Sequence, residues 1–476
     1  MYRHRHMPSL GILLLLAACS SNSDSDSSDT ATSDSDSSDT GGTSGMIDND
    51  SYILVVSYGN TGVHLINHDG DQLHSWSMDR SLANEAKLLD DGRLLATLKV
   101  DNPQITFGGY GGMFRMIDVD QSVEWEVSYA SDDYISHHDV EYLSNGNIMF
   151  PVWERVAAAD ALEMGFSVNQ TIYPDAIIEL NPVSGEVVWE WHATDHLVQD
   201  YDNTRDNYGV VASNPNKIDI NYNSSQSNGD LMHVNGLTLD EDNDLLYLTV
   251  NFYSEVWVID HSTTTEEAAT SSGGNYSLGG DLVYRFGNPL AYDNVGDVTL
   301  NRVHHPNLLD TGNMLVFGNQ VYTDQSEIVE YELSPPYFLF PGEDNEPPVA
   351  WTFTDPDLYS SGLGSADRMS NGNTLIGEGR GGTIWEVSSS GEVLWQNTDY
   401  ETFWRAYSFP YYAPAARAVP DFPRKISGLR NPYSGKSRVF RPIRSGIRHV
   451  GCRSSTIVSV SCGNRLREQR RHINTR

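Results

Sequence analysis

The chain has 476 residues, and its 65 acidic and 30 basic residues give it a formal net charge of −35. A surface this acidic repels a phosphate backbone, so we expect no binding to nucleic acid. The charge is unevenly distributed, because only 13 of the basic residues lie in 46–414 and 15 lie in 415–476. An anionic substrate of the central region would therefore need a local concentration of positive charge.

The N-terminus has the pattern of an export signal. Arg3 and Arg5 precede an apolar run at 10–16 that is shorter than the roughly 20 residues needed to span a bilayer. Its Leu-Ala-Ala-Cys ending resembles a bacterial lipobox, which predicts lipidation of Cys19. An ordinary signal peptide with an incidental cysteine is the alternative. Residues 1–19 thus predict a periplasmic or cell-surface lipoprotein, held at the outer membrane through its lipid anchor only.

The segments on either side of the central region differ from it in composition. Residues 20–45 contain only Ser, Asp, Thr, Asn, Gly and Ala, which bury no apolar surface and predict a disordered tether. The basic tail, 415–476, lacks the aromatic and acidic pattern that precedes it. One interpretation is a disordered arm that binds anionic lipid or nucleic acid. The interpretation we favour is a non-native reading frame outside the fold.

The central region, 46–414, repeats a turn-then-strand unit. Asp-Gly or Asn-Gly between two apolar runs is a strong hairpin signal, because a type I′ turn needs positive φ at both central residues. A second hairpin follows each unit, which makes four strands a repeat. Together with strands at 51–78, the units predict an all-β fold, a six-bladed β-propeller of four-stranded antiparallel blades with a closed ring. Clear examples are "KLLDDGRLLATL" at 87–98, "EYLSNGNIMFPV" at 141–152 and "RMSNGNTLIGEG" at 368–379.

Histidines precede the turns of three of these units. They are the pair His137 and His138, the single His233, and the pair His304 and His305. The segment before the turn is the innermost strand of a blade, so the histidines should meet at the central channel. Because alternate residues of a strand face opposite ways, one of each pair faces the channel, and we assign His138 and His305 to that position.

Several phrases, in this order along residues 50–412, resemble the bacterial aryl-sulfate sulfotransferases. They include "HHDVEYLSNGN", "GGDLVYRFGNP", "HHPNLLDTGNMLVFGN" and "FWRAYSFP". The resemblance implies an exported six-bladed propeller that moves a sulfuryl group from an aryl sulfate to a phenol, with neither a nucleotide donor nor a cofactor. It also implies a histidine nucleophile that is transiently sulfated, among further histidines, an arginine and an asparagine.

The resemblance implies catalytic roles for particular residues. His305 and Asn307 match the His-x-Asn element of the family best, and we expect them beside the sulfuryl group as donor or stabiliser. His233 and His138 are the next candidates, as general base or oxyanion partners. An imidazole suits all of these tasks, because it can be a nucleophile, a base or a cation near neutral pH.

The last repeat departs from the others. Arg368 and Arg380 flank its Asn-Gly turn and are the expected cations, but Leu363 and Gly364 stand where the third blade has its histidine pair. If the family nucleophile belongs to this blade, the chain lacks it. Two alternatives therefore remain open. One is a catalytically inactive, lipid-anchored binding or scaffold module, and the other is a metal-dependent hydrolase with imidazole ligands.

Overall fold

The computed structural model describes residues 45–320 and 322–411. The predicted signal peptide with Cys19, residues 20–44 of the predicted tether and the whole basic tail lie outside the described residues. In the described ranges, no helix combines the length and the apolar character that crossing a bilayer requires.

Regular structure in the described ranges is mostly β. The strands in the first half are β1 (Ser51–Ser57), β2 (Gly62–Ile66), β3 (Gln72–Ser77), β4 (Leu82–Leu88), β5 (Leu94–Lys99), β6 (Gly112–Ile117), β7 (Val123–Ser128), β8 (Tyr134–Ser136), β9 (Glu141–Tyr142), β10 (Ile148–Glu154), β11 (Asp175–Asn181), β12 (Glu186–His192), β13 (Leu197–Val198) and β14 (Ile218–Asp219). Those in the second half are β15 (Val234–Asp240), β16 (Leu245–Val250), β17 (Glu255–Asp260), β18 (Tyr284–Phe286), β19 (Val303–Leu308), β20 (Met314–Gly318), β21 (Glu327–Tyr331), β22 (Val349–Phe353), β23 (Ser365–Arg368), β24 (Thr374–Glu378), β25 (Thr383–Val387), β26 (Val393–Asn397) and β27 (Phe403–Pro410). The helices are short: α1 (Ala158–Glu163), α2 (Thr265–Ala268) and 3-10 turns at Ala193–His196, Val211–Ser213 and Pro289–Tyr292.

The strands pair into six antiparallel sheets and one small parallel sheet, the pair β13 and β14. Four of these sheets follow chain order, and they contain β4 to β7, β15 to β18, β19 to β22 and β23 to β26. Another runs β8-β10-β11-β12, with the short β9 also paired to β10. The remaining sheet has the order β27-β1-β2-β3, so β27 completes the sheet that begins the described chain.

Neighbouring sheets touch in a closed cycle. The contacts are β1 with β4, β6 with β8, β10 with β15, β15 with β19, β20 with β23, and β23 with β27. Six apolar clusters each fill the space between one pair of neighbouring sheets. Trp191 and Trp257, for example, are both fully buried between the third and fourth sheets. The fold is the predicted six-bladed β-propeller, closed by the pairing of β27 with β1.

The innermost strands are irregular near the histidines. Strand pairing shifts register inside β4, β15 and β19, and the third blade divides its inner edge between β8 and β9. His138, His233 and His305 have φ values of 56°, 60° and 55°. This left-handed region is costly for residues other than glycine and is often found at functional sites. Bulges of this kind re-aim side chains, so the two-residue period of a strand no longer tells which residue faces the channel.

A buried charge cluster ties the blades together at the channel. Arg405 in β27 is 1% exposed, and its guanidinium donates to Glu85 Oε2 (2.6 Å), Asp139 Oδ2 (2.9 Å) and the carbonyl oxygen of Asn235 (3.0 Å). The hydroxyl of Tyr407 donates to the same Glu85 oxygen (2.7 Å). The three partners of Arg405 belong to the second, third and fourth blades, so one guanidinium connects four of the six blades.

Candidate functional site

A cavity of about 250 Å³ lies where all six blades meet. The loops between strands complete its wall with two arginines, Arg302 and Arg380, and with Asn251 and Phe252. Five blades contribute residues from their inner edges, and the first blade contributes Tyr58 from the loop after β1. The five inner-edge residues are Asn84, His138, His233, His304 and Leu363. The fold therefore brings a histidine from each of the three histidine segments to one place.

His304, not His305, is the member of its pair that reaches this cavity. Alternation along a strand predicts that one member of the pair faces the channel, and the sequence analysis assigned His305 to that position. The register of β19, however, shifts between His304 and Asn307. His305 lies on the other side of the strand, where its Nδ1 accepts the backbone N–H of Ala366 (3.2 Å). In the other pair, His138 lines the cavity as predicted.

His305 and Asn307 line a second cavity of about 220 Å³. Asn307 Nδ2 donates to Asp367 Oδ1 (3.3 Å), and burial raises the pKa of that carboxyl to about 6. The ammonium group of Lys87, also in this wall, is paired with the carboxylate of Glu141. The positive charge here is already neutralised, so the second cavity is poorly suited to an anion.

Arg368 also lies away from the histidine cavity. Its guanidinium is paired with Glu330 and lies 4.7 Å from the centre of the Trp351 ring. Arg380, the other predicted cation, does line the cavity, with its guanidinium carbon 5.2 Å from the centre of the Tyr58 ring. The structure thus separates two residues that look equivalent on either side of one turn.

Arg302 is a cavity residue that the sequence analysis missed. Its guanidinium carbon lies 4.3 Å from the centre of the Phe252 ring, and Nη1 donates to Asn251 Oδ1 (3.3 Å). Burial lowers the pKa of Arg302. Arg302 stands two residues ahead of His304, just before the repeated histidine phrase begins, and this position is the signal that could have identified it.

The two cavity arginines are unusual among the cations of this protein. In the ranges 45–320 and 322–411, only Lys99, Arg302 and Arg380 form no salt bridge with a carboxylate. Guanidinium groups kept free of carboxylates are well suited to bind a tetrahedral oxyanion. The local positive charge that an anionic substrate needs is therefore present at this cavity.

His233 is held from behind by a carboxylate. Its Nδ1–H donates to Asp230 Oδ2 (2.5 Å), and its ring is stacked on Phe252, with 4.6 Å between ring centres and 7° between ring planes. A histidine bound in this way has its lone pair on Nε2, on the side that faces the cavity. With 16% of its side chain exposed, it is the most accessible of the three cavity histidines.

His304 is held by an amide instead. Asn319 Nδ2 donates to the carbonyl oxygens of Ser360 (2.8 Å) and Leu363 (2.9 Å), so its Oδ1 is free to accept His304 Nδ1–H (2.5 Å). His304 Nε2 then carries the lone pair and accepts the backbone N–H of Leu363 at 3.2 Å. Burial lowers the pKa of His304 to about 3, so the imidazole is neutral at physiological pH.

His138 is the most enclosed of the three. Its ring centre lies 4.6 Å from that of His233, and its Nδ1 lies 2.9 Å from His137 Nδ1. The ring packs directly on Gly109, where φ is 94° and an added Cβ would lie 2.2 Å from His138 Nε2. Burial lowers the pKa of His138 well below its ordinary value, and the guanidinium of Arg405 lowers it further.

Asn84 adds an amide to the cavity wall. The residue is 1% exposed, and neither Nδ2 nor Oδ1 has a hydrogen-bond partner within the described part of the chain. A buried amide without partners is costly, and a ligand with polar oxygens would satisfy it. Within the same described part, no group of three or more His, Cys, Asp and Glu side chains is arranged to hold a metal ion.

Comparison with known proteins gives one family and several distant structures. A family model described as Arylsulfotransferase (ASST) matches residues 85–400. No curated protein matches the chain.

The solved structures that resemble the chain do so only weakly. A protein of unknown function from Bacteroides caccae is 14% identical, with a TM-score of 0.43 over 75% of this chain and 98% of that one. A functionally unknown protein from Desulfotomaculum acetoxidans is 9% identical, with a TM-score of 0.41 over 75% and 98%. Virginiamycin B lyase from Staphylococcus aureus is 13% identical, with a TM-score of 0.35 over 74% and 85%. Similarities this low do not assign an activity.

Proposed function

Because this chain belongs to the arylsulfotransferase family, we propose that its histidine cavity transfers a sulfuryl group from an aryl sulfate to a phenolic acceptor. The observation that carries the proposal is the composition of the cavity. It combines three histidines with two arginines that form no salt bridge within the described part of the chain, inside a protein whose net charge is −35.

The arginines suit the sulfate group of the donor. Arg302 and Arg380 line the same cavity and offer N–H groups to the sulfuryl oxygens, and the amide of Asn84 offers another. By analogy with phosphoryl transfer, the transition state spreads negative charge over these oxygens, so fixed donors stabilise it more than they stabilise the ground state.

The histidines suit the two half-reactions. In the first, an imidazole Nε2 lone pair attacks sulfur, and the bond from sulfur to the phenolic oxygen breaks. In the second, the oxygen of the acceptor phenol attacks sulfur, the N–S bond breaks, and a base takes the phenolic proton. His233, bonded to Asp230 through Nδ1, presents Nε2 for the attack, whereas His304 Nε2 already accepts the N–H of Leu363. His138 lies beside His233 to handle the proton.

The test is an acceptor-dependent transfer assay on the purified full chain. With 4-nitrophenyl sulfate as donor, we expect release of 4-nitrophenol to increase when phenol is added, and phenyl sulfate to form in equal amount. Well-folded protein that releases nothing from a panel of aryl sulfates would contradict the proposal. In that case the non-catalytic binding module becomes the better interpretation, and binding of aryl sulfates by calorimetry is the next measurement.

Replacing Arg302 with glutamine should weaken donor binding. A hydrogen bond to a charged group contributes roughly 1.5–3 kcal/mol, so we expect KM for the aryl sulfate to rise about 10- to 100-fold. Arg368→Gln is the matched control, because Arg368 lies outside the cavity and is paired with Glu330. Equal effects of the two substitutions on KM would contradict the assignment of Arg302 to the sulfate site.

A further inference from the structure

Three buried groups form a row behind the cavity. Asp175 Oδ1 lies 2.9 Å from His137 Nε2 in an ion-pair contact, and His137 Nδ1 is hydrogen-bonded to His138 Nδ1 at 2.9 Å. All three residues are at most 3% exposed, and the row ends at the cavity wall formed by His138. The ring of His137 is stacked on Trp153, with 3.8 Å between ring centres and 12° between planes, which fixes the middle of the row.

We propose that Asp175 and His137 are positioning residues that form a proton relay with His138. Through this relay, His138 gives a proton to the departing phenolate in the first half-reaction and takes one from the acceptor phenol in the second. The inference rests on the proposed function and adds to it the path of the proton.

Passing a proton across the Asp175–His137 contact gives the row two arrangements of neutral imidazoles. With Asp175 ionised, His137 Nε2–H donates to the carboxylate, His138 Nδ1–H donates to His137 Nδ1, and His138 Nε2 carries a lone pair. With Asp175 protonated, every bond of the row reverses and His138 carries Nε2–H. The two arrangements differ by one proton, so the state of Asp175 sets whether His138 is a base or an acid.

The proton balances over the catalytic cycle. In the first arrangement, Asp175 carries the proton and His138 Nε2–H protonates the leaving phenolate as the donor bond breaks. The row then shifts, and Asp175 becomes ionised while the sulfuryl group is on the enzyme. When the acceptor oxygen attacks, His138 Nε2 takes the phenolic proton, and the row returns to its first arrangement. No imidazolium is needed at any stage.

The electrostatics of the row favour a proton on its carboxyl end. Burial raises the pKa of Asp175 well above its ordinary value and lowers the pKa values of His137 and His138 well below theirs. The titratable and charged groups that face the row are Asp230 and Glu154 at the carboxyl end and His233, His304 and Arg405 at the cavity end. The carboxylates raise the pKa of Asp175 further, and the guanidinium of Arg405 lowers that of His138 further.

Asp175→Asn would lock the relay. Asp175 Oδ2 faces the backbone N–H of Val234 at 3.4 Å, so an amide at this position keeps its oxygen there and turns its NH₂ toward His137. His137 must then carry its proton on Nδ1 and donate it to His138, which leaves His138 permanently as Nε2–H. A His138 fixed in this form can neither give up its proton nor accept one.

The expected result depends on the acceptor. With 4-nitrophenyl sulfate and a phenol that is protonated at the assay pH, Asp175→Asn should lower kcat by roughly 10²- to 10⁴-fold, the usual contribution of a general base, and leave KM unchanged. With a polyfluorinated phenol that is already ionised, the variant should approach the wild-type rate, because neither half-reaction then needs a proton. Asp281→Asn is the matched control, because it alters another buried Asp–His pair (Asp281 Oδ1 to His196 Nδ1, 2.7 Å) outside the cavity.

Equal losses with both acceptors would overturn the relay, because a purely structural effect does not distinguish them. Nitrogen NMR of the histidine rings gives a readout that needs no activity. In the wild type, the protonated nitrogen of His138 should change from Nε2 to Nδ1 as the pH rises through the pKa of Asp175, whereas in Asp175→Asn it should remain Nε2. A wild-type protein without transferase activity would defeat the proposed function, while the NMR result would still decide whether Asp175 controls the tautomer. An unchanging tautomer in both proteins would overturn the inference.

Discussion

Replacing Arg405 with alanine is expected to lower the free energy of unfolding by about 3–5 kcal/mol, the cost of leaving buried carboxylates without their partner. Arg405 bonds two carboxylates, Glu85 and Asp139, that are 0% and 1% exposed. Its third partner, the carbonyl oxygen of Asn235, is also buried. Because these groups belong to different blades, the loss should weaken the closed ring itself. Urea unfolding followed by tryptophan fluorescence measures the change.

Arg80→Ala is the control for this prediction. Arg80 pairs with Asp101, whose side chain is 78% exposed, and a surface pair of this kind contributes at most about 1 kcal/mol. The free energy of unfolding that Arg405→Ala loses should also increase with pH. Without the guanidinium, the pKa values of the buried carboxyls in the folded state rise above their unfolded values. The variant therefore becomes less stable as the pH rises through these pKa values. A deficit that is below 1 kcal/mol and independent of pH would contradict the cluster's role.

Alanine at the histidine that carries the sulfuryl group should reduce kcat/KM by roughly 10⁴- to 10⁶-fold, as expected when a nucleophile is removed. His233 is the first candidate, and His304 is the second because its Nε2 must first give up the N–H of Leu363. Asp230 stabilises positive charge on a modified His233, and Asn319 fixes the neutral tautomer of His304 with Nε2 unprotonated. We therefore expect one of the two substitutions, His233→Ala or His304→Ala, to abolish sulfuryl transfer and the other only to slow it.

The sulfated residue can be identified directly. The wild type is mixed with aryl sulfate in the absence of acceptor, quenched rapidly at alkaline pH and digested, and the peptide that gains the mass of a sulfuryl group is sequenced. His305→Ala should retain transfer and the same labelled peptide, because His305 lies outside the histidine cavity. Labelling at His305, or labelling that survives in all three alanine variants, would contradict the assignment of the cavity.

Much of the fold could be predicted from the sequence, because its signals are local. An Asn-Gly or Asp-Gly turn reports on its own two flanking strands, and the glycines at 92, 146, 312 and 372 all have positive φ in the structure. The repeated spacing of these turns predicts six four-stranded blades. The first and last blades find a neighbour on both sides only when the ring closes.

The site could be predicted only in part. The repeat phase correctly brings His138 and His233 to one cavity, and Arg380 joins them there. The assignment of His305 to the channel was wrong, because His304 lies there. The family resemblance suggested Asn307, and the last Asn-Gly turn suggested Arg368, for a cavity that neither residue lines.

The sequence by itself determined the number of blades, the closure of the ring and the arrival of three histidine segments at one axis. Only the tertiary structure decided which side chains face the cavity and which cations stay free of carboxylates. The physical reason is that bulges in the inner strands cancel the two-residue alternation, so orientation depends on packing against the next blade. Pairing between charges such as Arg368 and Glu330 likewise depends on contacts between residues distant in sequence, which no local pattern encodes.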